Sequence, residues 1–295
     1  MKQVITTSAY CKEVFGEKLY KLTLSAATSC PNRDKGEGCI FCSKGGSGEF
    51  ATPADLPIDQ QIFDAKKRVQ AKYKGERFIA YFQSYTGTYG DVAKLKEIYL
   101  AAAKREEIAA LSIATRPDCL GQEVMEMLRE LSAIKPLWVE LGLQSENDET
   151  AERIGRGYPL AEYLSATKKL RTLPIHIITH IILGLPGEDK EQMLRSAHLA
   201  AEQGDGIKLQ LLHVLRGTSL AKMYEQGEIT LLSSEAYYDI VASILEQLPE
   251  GTVIHRLTGD GDKRLLLAPL WSADKKRVMN EMHRHLRERG LEVRT

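Results

Sequence analysis

The sequence predicts an α/β protein: a parallel sheet curled into an open, partial (β/α)6 barrel over residues 1–213, with an α+β extension over 214–295 packed on it. Three observations predict it. Short apolar, β-branched runs alternate with amphipathic stretches between about residues 19 and 213, and each gap is too long for a hairpin, so the strands run parallel. Polar residues recur at period two inside several of these runs, whereas a strand buried on both faces reads as continuously apolar. Polar clusters stand at the C-terminal ends of the runs, where barrels and open α/β folds place their active sites.

In chain order, strands are expected at Lys18–Ser25, Arg77–Ser84, Ala109–Thr115, Leu137–Gln144, Pro174–Leu183 and Gly206–His213. Helices are expected near 59–74, 91–107, 121–132, 159–172 and 188–203. Strand parity places Thr23 with Ser25, Glu140 with Gln144, His176 with His180, and Lys208 with Gln210 on shared faces. That polar face fits an open barrel with a cavity, and His180, Lys208 and Gln210 are its candidate lining residues. Past residue 214 the pattern changes to helices at Thr218–Gln226 and Ser233–Gln247, a strand at Thr252–Leu257 and a basic helix at Ala273–Arg289.

Composition narrows the class. With 40 basic and 40 acidic residues, the chain has no global field that would advertise a nucleic-acid partner. No apolar stretch is long enough to span a membrane, and residues 1–25 lack a signal-peptide pattern. Five cysteines, an odd and sparse number, argue against a disulfide framework. Three of them, Cys30, Cys39 and Cys42, lie within thirteen residues in TSCPNRDKGEGCIFCSKGG, directly after the first expected strand. An iron–sulfur or structural zinc site ordinarily takes four protein ligands. Three thiolates on a [4Fe–4S] cluster leave one iron open to a substrate or cofactor. A zinc site of these three plus a distant histidine is the alternative. Thiolate ligation suits a reducing compartment, so a cytoplasmic location is expected. Cys11 and Cys119 stand apart and read as structural.

The cysteine loop after the first strand of a six-fold βα pattern resembles the radical S-adenosylmethionine (SAM) superfamily. Most members have three residues between the first two cysteines; here there are eight, then two. The longer gap, with SCPNRD before the second cysteine, resembles the YhcC/YtqA (MnmL) family, whose relatives include the catalytic subunit of elongator. YFQSYTGTY at 81–89, ATRPDCL at 114–120, ELGLQSENDET at 140–150, IGRGY at 154–158 and HRLTGD at 255–260 fit that family's pattern. The resemblance implies a partial TIM-like barrel of radical SAM type. It implies a [4Fe–4S] cluster on Cys30, Cys39 and Cys42, with SAM chelated to the fourth iron and cleaved reductively to a 5′-deoxyadenosyl radical. It implies that Phe41 contacts adenine and that Gln144, Ser145 and Arg156 bind SAM. Gln83, Ser84 and Tyr85 fall where the superfamily contacts the SAM amino group, although the usual Gly-Gly-Glu is absent. ILGLPGED at 182–189 resembles the motif that flanks adenine.

For this family the implied reaction is conversion of 5-carboxymethylaminomethyl-(2-thio)uridine to 5-aminomethyl-(2-thio)uridine at the tRNA wobble position. The implied partners are tRNA and an external one-electron reductant such as flavodoxin or ferredoxin, with no membrane. Two basic clusters could meet phosphate: residues 273–295, with seven Lys/Arg against four Asp/Glu, and Lys66, Lys67, Arg68, Lys72, Lys74 and Arg77. Each also reads as an ordinary solvated helix face. A radical SAM enzyme of a small molecule or peptide, and a zinc-containing RNA-binding module, remain alternatives on the residues alone.

Overall fold

The computed structural model describes residues 1–46, 51–259 and 261–294. Its elements, in chain order, begin with β1 (Lys2–Thr6), α1 (Thr7–Phe15), β2 (Tyr20–Leu24), α2 (Pro31–Lys35) and α3 (Ile58–Val69). There follow β3 (Phe78–Phe82), α4 (Val92–Ala103), β4 (Ile108–Thr115), α5 (Gln122–Ile134), β5 (Leu137–Gln144), α6 (Asp148–Arg153) and α7 (Leu160–Leu170). Next come β6 (Ile175–Leu183), α8 (Lys190–Gln203), β7 (Gly206–Leu211), β8 (Val214–Leu215), α9 (Ser219–Glu225) and α10 (Ser234–Gln247). The chain closes with β9 (Val253–Arg256), β10 (Leu266–Ala268), α11 (Lys275–Glu288) and β11 (Leu291–Arg294).

The main sheet has nine strands in the order β11-β1-β9-β7-β6-β5-β4-β3-β2, and every pairing in it is parallel. The run β2 to β7 is the expected six-fold βα unit. The polar and apolar faces separate along it. Leu22, Leu24, Ala80, Phe82, Leu111, Ile113, Val139, Leu141, Ile177, Ile181, Ile207 and Leu209 share one large apolar cluster with the outer helices. The alternating positions carry the polar residues, so period two reports a real division between a helix-covered face and a cavity face. Caps set several helix starts: Asp91 before α4, Asn147 before α6, and Asp189 in a capping box with Gln192 before α8.

The two ends of the chain build the other side of the sheet. β1 lies between β9 and β11, and β9 pairs with β7. The boundary at residue 214 therefore marks a change of element pattern and not a break in the sheet. Behind β1, α1 closes the N-terminal end of the cavity face. Tyr10 and Cys11 cluster there with Ile79, Ala110, Trp138 and Ile178. Cys11 is fully buried in this plug. Among the described residues no helix is long and apolar enough to cross a membrane.

Candidate active site

The cysteine loop leaves β2 at the C-terminal ends of the strands. Cys30 is the N-cap of α2, and Pro31 opens that helix at the position where its missing N–H costs nothing. The eight-residue gap is thus occupied by a helical turn whose side chains turn back on the loop. Asn32 Nδ2 reaches Cys39 Sγ at 3.3 Å and donates to the carbonyls of Gly155 and Arg156 at 2.7 and 2.9 Å. Arg33 Nη2 lies 3.6 Å from Cys42 Sγ and also donates to the Ser43 carbonyl. Asp34 accepts from Ser29 Oγ at 2.5 Å and from Tyr89 at 2.7 Å.

All five cysteines are free thiols, and the three of the loop are partly exposed. Burial, then the neighbouring Cys42, pushes the Cys39 thiol up to about 11. Among the described residues no three His, Cys, Asp or Glu side chains converge closely enough to hold a metal ion. The donor set nonetheless fits an iron–sulfur cluster: three thiols on one loop, two of them already facing N–H donors that would stabilise thiolate ligands.

The strand-end motifs meet around this loop. Ile40 N–H donates to Ile154 O at 3.0 Å, and Thr86 N–H to Ser29 O at 3.4 Å. Gly87 N–H donates to Ala114 O at 2.8 Å, and Thr88 bonds Thr115 Oγ1 at 2.5 Å and Cys119 O at 2.7 Å. Arg116 holds Asp118 and stacks over Tyr158, whose hydroxyl bonds Gly142 O and Gln144 Oε1. Gly157, at φ +83°, admits no side chain, since a Cβ would stand 2.4 Å from Asn32 Oδ1. Only Tyr85 and Gln144, among described non-glycine residues, have positive φ, at 56° and 59°. Both are expected SAM-contact positions, and such backbone strain concentrates at functional sites.

A cavity of about 320 Å³ opens beside the loop, lined by Ser25, Thr28, Gly45, Thr52, Ser84 and Tyr85 among others. Ser84 Oγ bonds Ser25 Oγ at 2.8 Å, and Gln83 N–H reaches Leu24 O at 3.4 Å at the same rim. A larger hollow of about 600 Å³, beside Val92 and Gly121–Glu126, contains none of the cysteines. Phe41 packs with Ile40 on an apolar patch that includes Ile182, Leu185, Leu212 and Val214. The ILGLPGED segment and the Cys-Ile-Phe-Cys loop are therefore neighbours.

Two residues expected at SAM are engaged within the protein in this structure. Arg156 is 1% exposed, and its guanidinium donates to the carbonyls of Leu143, Ser145 and Tyr158 and pairs with Asp148 at 3.0 Å. These bonds fix the turn after β5. Ser145 is fully buried, its hydroxyl taken by Glu188 and by the Asn147 N–H. A motif match reports the neighbourhood of these two side chains but not their direction.

Beneath the mouth, the cavity face carries a connected set of charges. Glu140 Oε2 accepts from Lys208 Nζ at 2.7 Å and His180 Nε2 at 2.6 Å; Oε1 accepts from Ser112 at 2.6 Å and from Lys21. Lys208 also donates to Tyr81 at 2.8 Å. Burial alone would raise the Glu140 carboxyl, but Lys208 and then Lys21 hold it well below the usual range. Burial, then Lys208, lowers His180 to about 4, so its ring is neutral. Because Glu140 accepts from Nε2, the Nδ1 lone pair of His180 is the acceptor. His180 and Lys208 thus meet on Glu140 in one network, and Gln210, two residues along the strand from Lys208, bonds Arg256 beside it. Lys21, Tyr81, Ser112 and Arg256 complete it. Extending the parity of β2 by one step, from Thr23 to Lys21, would have found the first of these.

The basic clusters are partly spent within the protein. On α11, Arg277 pairs with Glu281 at 3.3 Å, and just beyond it Arg289 pairs with Asp239 and Glu246, both at 2.7 Å. Lys66 pairs with Glu107 at 3.8 Å, Lys67 sits over the Phe63 ring, and Arg77 pairs with Glu17 at 3.2 Å. In the HRLTGD segment, Asp260 lies outside the described residues.

Comparison with known proteins agrees with this geometry. The sequence profile of the radical SAM superfamily matches residues 25–200, and that of the radical SAM C-terminal domain matches 204–288. The chain is 39% identical over 293 residues to the uncharacterized protein YtqA of Bacillus subtilis, covering 98% of this chain and 91% of that protein. It is 35% identical over 284 residues to YhcC of Escherichia coli K12, covering 94% and 90%. Over 155 residues, 51% of this chain and 28% of the other, it is 28% identical to a tRNA uridine(34) acetyltransferase of Methanocaldococcus jannaschii. Its fold is similar to that of Elp3 from Methanocaldococcus infernus, with a TM-score of 0.69 at 15% identity, over 93% of this chain and 65% of that longer one.

Proposed function

Because this chain belongs to the radical SAM superfamily, in the group of the YtqA and YhcC proteins, we propose that it is the enzyme that trims the wobble uridine of tRNA from the 5-carboxymethylaminomethyl-(2-thio) to the 5-aminomethyl-(2-thio) form. Membership implies a [4Fe–4S] cluster, SAM and an external one-electron reductant, for which a flavodoxin or ferredoxin is the expected class. When bound, cluster and SAM supply a 5′-deoxyadenosyl radical by reductive C–S cleavage. Cys30, Cys39 and Cys42 are the residues that would hold the cluster. Asn32 and Arg33 steady the sulfurs, and Phe41, Gln83, Ser84, Tyr85 and Gln144 frame the space for SAM.

The observation that carries the reading is the charged network on the inner face of the sheet, where Lys21 and Arg256, with Lys208 lowered by burial to about 7, stand against Glu140. An arm bearing an amine and a carboxylate suits it. The similarity to a protein named for tRNA uridine(34) directs the substrate class. Loss of a hydrogen atom from the methylene between amine and carboxylate gives a stabilised carbon radical. Loss of one further electron to a one-electron acceptor, then addition of water, releases the aminomethyl group and glyoxylate. The released amine keeps the proton, so the hydrolysis liberates none.

The test is anaerobic: reconstituted enzyme, SAM, reductant and carboxymethylaminomethyl-tRNA, read by nucleoside mass spectrometry. Aminomethyluridine together with 5′-deoxyadenosine is the expected result. Formation of 5′-deoxyadenosine with unchanged tRNA removes the tRNA reading and leaves the radical SAM enzyme. A cytoplasmic location is part of the same proposal.

A further inference from the structure

We propose that Arg256, backed by Lys208 and Lys21, forms a carboxylate-binding subsite on the cavity face of the sheet. Arg256 ends β9, in register with Lys208 on β7. Its Nη2 donates to the neutral Gln210 side chain, and its Nε is buried with no hydrogen-bond partner among the described residues. Buried guanidinium N–H groups are ordinarily satisfied, so an orphaned one marks a place for an acceptor. Gly259 keeps Gln210 in place: a Cβ there would stand 1.9 Å from Gln210 Nε2.

The charges around it are unbalanced. Arg256 acts electrostatically on Tyr81, His180 and Lys208. The network therefore sets Lys21 and Arg256, with Lys208 lowered by burial to about 7, against Glu140, with His180 neutral. Lys21 and Lys208 already bond Glu140. What is left unspent is one guanidinium N–H, a donor that suits a carboxylate oxygen. The identity of the ligand rests on the tRNA reading above: it is the carboxyl end of the carboxymethylamino arm. The subsite would anchor that end and leave the adjacent methylene facing the cysteine loop.

The test uses cluster-loaded protein with SAM and no reductant, so that binding is read without turnover. Calorimetry compares 5-carboxymethylaminomethyluridine with 5-methylaminomethyluridine, which lacks the carboxyl. The wild type is expected to favour the carboxylated nucleoside by about tenfold or more, the scale of one charge-assisted pair. Arg256→Gln should erase that ratio, and Arg256→Lys, which keeps charge and length but not the fork, should retain part of it. That pattern upholds the subsite even if no tRNA is converted, in which case only the reaction falls. No preference in the wild type, or an undiminished preference in Arg256→Gln, overturns the subsite even where tRNA conversion succeeds.

Discussion

Asn32 does three jobs with one amide, touching the Cys39 sulfur and two carbonyls of the Gly155–Gly157 turn. Gly157→Ala puts a methyl 2.4 Å from its Oδ1 and must push the amide off. Lower iron content after reconstitution, with faster bleaching in air, is the expected result, read from iron–sulfur absorbance; unaltered loading would contradict the role given to Asn32. Glu188 is the other telling residue. Burial lifts its carboxyl from 4.5 to about 7, and Oε2 finds no partner among the described residues. A carboxyl whose folded value is raised binds its proton more tightly when native. It therefore costs stability as pH rises past its unfolded value, and the full cost applies above its folded one. Glu188→Gln should then melt above the wild type near about pH 8, by about 1–3 kcal/mol, and level with it near about pH 4. A melting difference that does not change with pH would contradict this.

Among the elements, β5 matters most because Glu140 ties β2, β4, β6 and β7 across the cavity face. Glu140→Gln leaves Lys21 and Lys208 without their carboxylate and should cost about 3–5 kcal/mol in urea unfolding. A loss below about 1 kcal/mol would mean that the network is open to water and screened. The strands from β2 to β7 were legible because their two faces differ in polarity, and the helices because apolar spacing and residues such as Asp91 and Asp189 mark them. β1, α1 and β11 were not. Lys2–Thr6 and Leu291–Arg294 are short, and each is made a strand by a partner nearly 300 residues away. The partners that Arg156 and Ser145 take were not legible either, because they are mostly main-chain groups on the same turn. Such partners leave no mark on residue type.

For the whole molecule, the strand-end motifs meet around the cysteine loop, and the Glu140 network lies on one face of the same sheet. The sheet behind them was readable in outline from the parity of four strands. The orphaned Nε of Arg256 was not, since it depends on what β9 packs beside. The RNA surface stays a proposal, and partial neutralisation of α11 sharpens its test. Lys276→Glu, Arg284→Glu and Arg287→Glu spare the paired Arg277 and Arg289. If α11 meets tRNA, each should weaken binding and reduce the salt slope by about 0.7–0.9 per lost phosphate contact. Unchanged affinity and slope would remove the helix from the interface.

The most direct test of the account follows a single hydrogen. Carboxymethylaminomethyl-tRNA deuterated at the methylene beside the carboxylate is incubated with reconstituted enzyme, SAM and reductant, with Cys42→Ala as control. The account predicts deuterium in 5′-deoxyadenosine in step with aminomethyluridine, and neither product from the control. Aminomethyluridine formed with no deuterium transferred, or formed equally by Cys42→Ala, would contradict it.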